Sequence, residues 1–255
     1  MSIVPMAVAA VLLTAATASW LLWYLAGRDR RYVWLLGCGL GSSALVNIAV
    51  KEPLAHGVAS LGSTRAEVDA ASPLWFLGFA LLLPPLTEEA IKAAPALLRP
   101  VRARARDSWL LTGVALGTGF GIGEAGFVGG VIAAGGGYGS TPWWHFSGYA
   151  VERVFASFGH GVMTAVVLRG FFGGRRGRLA GYAAAVALHT LLNLGAFLDQ
   201  VVALPGRLLP LWFPAGLVLL ALVFEHLQRG TRTPGADGSR GGAPGWTPLY
   251  RADEP

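Results

Sequence analysis

Seven apolar runs divide the chain, at about 3–26, 32–50, 73–98, 108–133, 147–171, 179–199 and 203–227. Each is close to the ~20 residues a helix needs to cross a hydrocarbon core of about 30 Å. Uninterrupted runs of that length predict helices, because lipid offers the backbone no partner outside its own segment. The pattern therefore predicts an all-α fold, a polytopic membrane helix bundle of about seven transmembrane helices within residues 1–228. The first run has no Lys or Arg before its apolar stretch and is followed by Arg28, Arg30 and Arg31, the reverse of a cleavable signal peptide, so it is expected to be a retained helix. Residues 52–72 are expected as an outer loop that could include a short surface helix. A second outer loop, ending in Pro142-Trp143-Trp144, carries aromatics suited to the headgroup level. Residues 229–255, rich in Gly, Pro and Arg, are expected as a disordered cytoplasmic tail. No internal repeat of the kind found in many secondary transporters is visible.

Composition sharpens this reading. Of the 255 residues 54% are hydrophobic and only 13% charged, against roughly a quarter in ordinary globular domains. A soluble enzyme, a coiled coil and a disordered chain are excluded. Cys38 is the only cysteine, so neither an internal disulfide nor a cysteine-based zinc site can form. The net charge of +6 follows mainly from topology: 15 basic residues flank the spans on one side, 3 on the other (Lys51, Arg65 and Arg207), and Lys92 and Arg153 fall inside spans. The positive-inside pattern places the N-terminus outside and the C-terminus in the cytoplasm. Contact with membrane lipids is a further use of the inner arginines, and nucleic acid is not expected as a partner.

A charge inside a bilayer is costly, so intramembrane ionisable residues are candidates for function. Span three carries Glu88, Glu89 and Lys92, span four Glu124, span five Glu152, Arg153 and His160, and span six His189 with Asn193. Counted from the basic flanks at about 1.5 Å per residue, Glu88, His160 and His189 share one layer roughly 14–17 Å deep. By the same count Glu124 and Arg153 share a higher layer, where they are expected to pair. Glu88 with Lys92, His160 with Thr164, and His189 with Asn193 are each four apart and lie on one helical face. Pro84-Pro85 is expected to bend span three, and glycines from 113 to 130 let another backbone approach span four. Gly121-Ile-Gly-Glu-Ala-Gly126 has the letters of a dinucleotide loop but no preceding strand, and no HExxH or phosphate-binding lysine loop occurs. Ser157 lies near His160 on a helix, without the elbow a serine nucleophile needs.

At these positions the chain resembles the glutamate-type intramembrane proteases, the superfamily of the CAAX prenyl endoproteases, and above all its bacterial PrsW-like branch. Glu88-Glu89-Ala-Ile-Lys92 matches a paired-glutamate motif, Gly119-Phe120-Gly-Ile-Gly-Glu124-Ala the next helix's motif, and His160-Gly-Val-Met-Thr164 and His189-Thr-Leu-Leu-Asn193 the third and fourth. The likeness covers about residues 75–200, the expected catalytic core. Lys92 follows more closely than the basic residue of the prenyl endoproteases, Glu124 stands where they have histidine, and Glu152-Arg153 resembles a pair in a related bacterial branch.

The resemblance implies an intramembrane endopeptidase acting on a membrane-associated protein or peptide. Glu88 would be the general base, with Glu89 sharing or relaying its proton. His160 or Glu124 would help position the water, and His189 with Asn193 would donate to the oxyanion. Lys92, Arg153 and Thr164 are the expected supporting residues. The reaction needs no cofactor, although Glu88, Glu89, His160 and His189 could instead bind a divalent metal such as zinc. The alternative of another class is a proton-coupled transporter or non-catalytic membrane regulator that uses the same buried Glu/His relay.

Overall fold

The apolar runs fold as helices, and seven of them are long and apolar enough to cross a membrane. The computed structural model describes residues 3–26, 29–61, 72–135, 140–202 and 209–232. In chain order the helices are α1 (Val4–Leu25), α2 (Trp34–Ala44), α3 (Glu52–Leu61), α4 (Leu74–Ala93), α5 (Arg99–Asp107), α6 (Trp109–Ala134), α7 (Ser147–Phe171), α8 (Gly174–Val202) and α9 (Leu209–Arg232), with no strand among the described residues. This is the expected all-α polytopic bundle. Large side chains such as Leu12, Trp20, Leu211 and Val218 are exposed on its outside, as lipid-facing positions should be.

The helix boundaries follow local chemistry. Pro5 sits in the first turn of α1, where its missing N–H costs no helical bond. Ser108 separates α5 from α6: its backbone is extended, and its Oγ accepts from Leu111 N at 3.2 Å. Gly174, with φ +72°, starts α8 through a left-handed conformation. Arg175, Arg176 and Arg178 therefore lie in the first turns of a helix rather than in a connection. α4 continues through Pro84 and Pro85. The Thr87 hydroxyl donates to the Leu83 carbonyl at 2.7 Å on the turn that follows.

The second span differs most from expectation. It does not stop near residue 50 but runs on through Lys51 into α3, joined by a π-helical segment, Leu45–Lys51. Pro53 explains the wide turn, because it cannot donate to the residue four before it, and a π turn just ahead re-phases the ladder. Glu52 N bonds to Asn47 O, five residues back. The outer loop expected from residue 52 is thus helical to Leu61, and residues 62–71 lie outside the described part. So do residues 136–139 of the second outer loop. The tail expected from 229 is helical to Arg232, and residues 233–255 are likewise outside.

α6 is the hub of the bundle, packing on α1, α2 and α7. Its glycines divide among these neighbours. Gly113, Gly117 and Gly121 lie against Ala165, His160 and Ser157 of α7, while Gly119 and Gly123 meet Leu36 and Ser43 of α2, and Gly129 meets Ala7 of α1. A Cβ on Gly117 would stand 2.1 Å from the His160 carbonyl oxygen, so only glycine lets the two backbones come this close. Gly117→Ala is expected to lower the thermal unfolding midpoint in detergent, with a cost of at least the ~1–3 kcal/mol of an overpacked core. Gly130→Ala, where nothing lies within 4 Å, is expected to leave the midpoint unchanged.

Candidate functional site

The packing of α4, α6, α7 and α8 brings the intramembrane polar residues together. On α4, Glu88, Glu89 and Lys92 are 1%, 0% and 0% exposed. Burial this complete demands partners, and the ammonium of Lys92 supplies several. It donates to Glu89 Oε1 at 2.6 Å and to His160 Nδ1 at 2.7 Å, stands 3.5 Å from Glu88 Oε2, and lies 4.7 Å from the centre of the Phe120 ring.

These contacts fix the tautomer of His160 and place one proton on His189. An ammonium can only donate, so His160 Nδ1 is an acceptor and its Nε2 carries the ring proton, which it donates to Glu124 Oε2 at 2.9 Å. Glu89 Oε1 already accepts from Lys92 and also faces His189 Nδ1 at 2.7 Å, so that nitrogen is the donor. His189 Nε2 is left facing Glu88 Oε2 at 3.9 Å. Glu88 Oε2 and Glu89 Oε2 are buried without a hydrogen-bond partner in the protein.

Two cations complete the cluster. Arg153 Nη1 reaches Glu124 Oε2 at 3.3 Å, and the same guanidinium binds both oxygens of Glu152, through Nε at 2.5 Å and more closely through Nη2. Lys51 Nζ donates to Glu88 Oε1 at 2.7 Å. A cavity of about 530 Å³ opens beside this network. Its polar side is formed by Lys51, Glu88, Glu124, Arg153, His160, His189 and Asn193, and its apolar side by Phe155, Met163, Leu192, Trp212, Phe213, Leu217 and Leu220.

No protein family, curated protein or solved structure matches the chain in comparison.

Of the residues singled out in the sequence, Glu88, Glu89, Lys92, Glu124, Arg153, His160 and His189 form one connected network, and Asn193 lines the cavity next to it. Glu124 and Arg153 pair as expected, but Glu124 also bonds His160, so the two layers counted from the flanks merge. The count for Glu124 ran from Arg106 across the Ser108 break, and thus did not follow one helix. Thr164 does not reach the cavity: its hydroxyl donates to the His160 carbonyl at 2.8 Å, in the contact with Gly117. Ser157 Oγ donates to the Arg153 carbonyl at 2.7 Å and has no nucleophile geometry. His56, His145 and His226 are exposed.

Two contributors lie outside residues 75–200. Lys51 counted as a flanking charge in the sequence, yet Ser43, Asn47 and Lys51 are spaced four apart, a polar stripe that could have marked it. Asn47 Nδ2 donates to Ser43 O and Oγ at 3.0 and 3.1 Å, which ties the first two members of the stripe together. The α9 side chains left no such signal, because an apolar cavity wall and a lipid-facing surface have the same composition in a membrane protein.

Glu88, His160 and His189 each offer one ligand atom, and these atoms lie within 4.8 Å of one another, close enough to hold a metal ion.

The Glu124–Arg153 contact can be tested by a double-mutant cycle. Arg153→Ala is expected to destabilise the protein by about 1–3 kcal/mol, because Glu124 loses a partner in a poorly hydrated place. Adding Glu124→Gln to Arg153→Ala is expected to recover part of that loss. Additive costs in thermal unfolding would show that the pair is not coupled.

Proposed function

We propose that the chain is an intramembrane endopeptidase that hydrolyses a peptide bond of a membrane-associated protein without forming a covalent intermediate. The observation that carries this reading is the opposition of Glu88 Oε2 and His189 Nε2, 3.9 Å apart beside the cavity, the carboxylate oxygen being buried without a hydrogen-bond partner; with His189 neutral, both are acceptors. One water placed against both can donate a hydrogen bond of about 2.8 Å to each. It is then held and polarised by the group that is to take its proton.

In the proposed reaction Glu88 removes one proton from that water as its oxygen bonds to the peptide carbonyl carbon. The carbonyl π pair moves onto oxygen. The C–N bond then breaks, Glu88 returns its proton to the leaving nitrogen, and the products are a carboxylic acid and an amine that exchange a proton in solution. Glu89 keeps His189 in the tautomer whose Nε2 faces the water. His160 and Arg153 hold Glu124 in place. The apolar side of the cavity gives the side chains flanking the scissile bond a place out of water. Arginine-rich helix ends on the Arg99, Arg169 and Arg229 side support a cytoplasmic position for that end of the bundle, in a bacterial cell membrane. A reporter fused after α9 is expected to signal the cytoplasm.

The donor set does not suit a divalent ion as it is arranged. Both nitrogens of His160 are engaged, by Lys92 and by Glu124, and the ammonium groups of Lys51 and Lys92 already stand against Glu88 and Glu89. A metal held by Glu88, His160 and His189 would have to displace Lys92 or Glu124 from His160.

The decisive experiment is comparative membrane proteomics of cells carrying wild type, Glu88→Gln or Glu89→Gln at equal folded levels. A membrane protein shortened only with wild type is expected, with cleavage about 10²–10⁴-fold slower after loss of the base. Identical proteomes, under conditions where loss of the protein has a phenotype, would favour a proton relay through the same residues. Cleavage by purified protein is expected to survive o-phenanthroline, whereas loss restored by added zinc would assign Glu88, His160 and His189 to a metal.

A further inference from the structure

We infer that Lys51, not His189, supplies the hydrogen bond and positive charge that bind the oxyanion of the tetrahedral intermediate. The inference rests on the hydrolytic reading above. Hydrogen-bond accounting around the cavity leads to it, because an oxyanion needs a donor that is not already committed.

The donors among the described residues can be taken in turn. His160 Nδ1 accepts from Lys92, and its Nε2–H is held by Glu124. His189 donates through Nδ1 to Glu89, and in the hydrolytic reading its Nε2 accepts from the water beside Glu88. Arg153 also lines the cavity, but three of its five N–H groups are spent on Glu152 and Glu124, and its hydrogen bonds go to these acids and not to Glu88. Lys92 is fully buried, bonds Glu89 and His160, and does not border the cavity. Lys51 alone among these donors combines a place at the cavity with a hydrogen bond to Glu88 itself. Its side chain is 18% exposed, it lines the cavity, and its ammonium makes a single hydrogen bond, to Glu88 Oε1. Two of its N–H groups remain for a ligand. Asn193, also at the cavity, is the neutral donor that can assist.

The backbone that presents Lys51 supports the same role. The residue ends the π-helical segment Leu45–Lys51, and such single-turn irregularities concentrate at functional sites. Its bond to Glu88 Oε1 leaves Oε2 directed at the water position. Proton acceptor and oxyanion donor are therefore held side by side, on α4 and on the second span.

The test compares two ligands of the purified full chain in nanodiscs by calorimetry. One is a leucyl-leucine phosphinic pseudopeptide, tetrahedral and anionic. The other is its uncharged ketomethylene counterpart. Wild type is expected to prefer the phosphinate. Lys51→Met is expected to weaken the phosphinate about 10- to 100-fold, the range of a charge-assisted hydrogen bond, with the ketone unchanged. Lys51→Arg is expected to keep most of the affinity. A purely structural Lys51 would weaken both ligands alike, and that result, equal phosphinate affinity in wild type and Lys51→Met, or no phosphinate binding by wild type, overturns the inference. Should Lys51→Met fail to fold, the Lys51→Cys, Cys38→Ser variant treated with bromoethylamine restores a lysine-like ammonium at this position, Cys38 being the chain's only cysteine. Phosphinate affinity is then expected to rise on aminoethylation, and no rise overturns the inference. A wild type that cleaves while its phosphinate affinity ignores Lys51 sinks this inference alone, whereas the protease reading falls only with the Glu88→Gln proteomics.

Discussion

Charge buried in an apolar bundle must be neutralised where it stands, and this requirement organises the whole site. Glu88 and Glu89 meet Lys51 and Lys92, and Glu124 and Glu152 meet Arg153, in contacts between 2.6 and 3.5 Å apart from the still shorter grip of Arg153 on Glu152, and His160 joins the two groups. Each carboxylate touches a cation. The surplus acid lies at the wet end: the Glu152 side chain is 37% exposed, against 1% and 0% for Glu88 and Glu89. Removing one member would strand its partner in a medium that cannot solvate it, so the network is all or nothing to a degree that a surface cluster is not.

That network can close only because the helices that carry it come unusually near each other. Gly117 of α6 lies against the backbone of His160, and one turn on, Gly121 lies against Ser157. Contact at this range sets α6 and α7 in register, which puts Glu124 within reach of both His160 and Arg153. Phe120, fully buried one turn before Glu124, fills the space between: its ring meets His160 edge to face, with centroids 5.4 Å apart, and lies under the Lys92 ammonium. Small residues thus fix the distance and one aromatic fixes the orientation. The site inherits its precision from backbone packing rather than from loops.

Much of this was legible in the sequence, for reasons that differ by residue. The seven spans are visible because hydrocarbon thickness imposes a length on every apolar run. Glu88, Glu89, Lys92, His160 and His189 stand out because polar groups inside such runs are costly and must be there for a reason. The Glu124–Arg153 pairing followed from counting. The same count failed for the Glu124–His160 contact, because a depth measured along the chain ignores breaks such as Ser108 and the reach of side chains. Lys51 was hidden by its position at the end of an apolar run, where a lysine is indistinguishable from an ordinary flanking charge until the helix is seen to continue past it. Trp212, Phe213, Leu217 and Leu220 were hidden for the opposite reason, since apolar residues in a membrane helix give no hint whether they face lipid, core or cavity.

The direction of the hydrogen bonds distinguishes the carboxylates more sharply than their burial does. Lys92 can only donate, which forces the His160 proton onto Nε2 and makes Glu124 its acceptor; Arg153 donates to the same oxygen of Glu124. Glu89 spends one oxygen on Lys92 and His189 together, and its other oxygen does not border the cavity. Glu88 is the acid that both lines the cavity and keeps one buried oxygen unspent, its other oxygen being secured by Lys51. Glu124 lines the cavity too and takes both donors on Oε2; what sets Glu88 apart is that its free oxygen is buried and faces His189 Nε2 at 3.9 Å. Glu88 and Glu124 therefore stand in different hydrogen-bonding environments, an asymmetry that originates in the inability of an ammonium to accept a hydrogen bond.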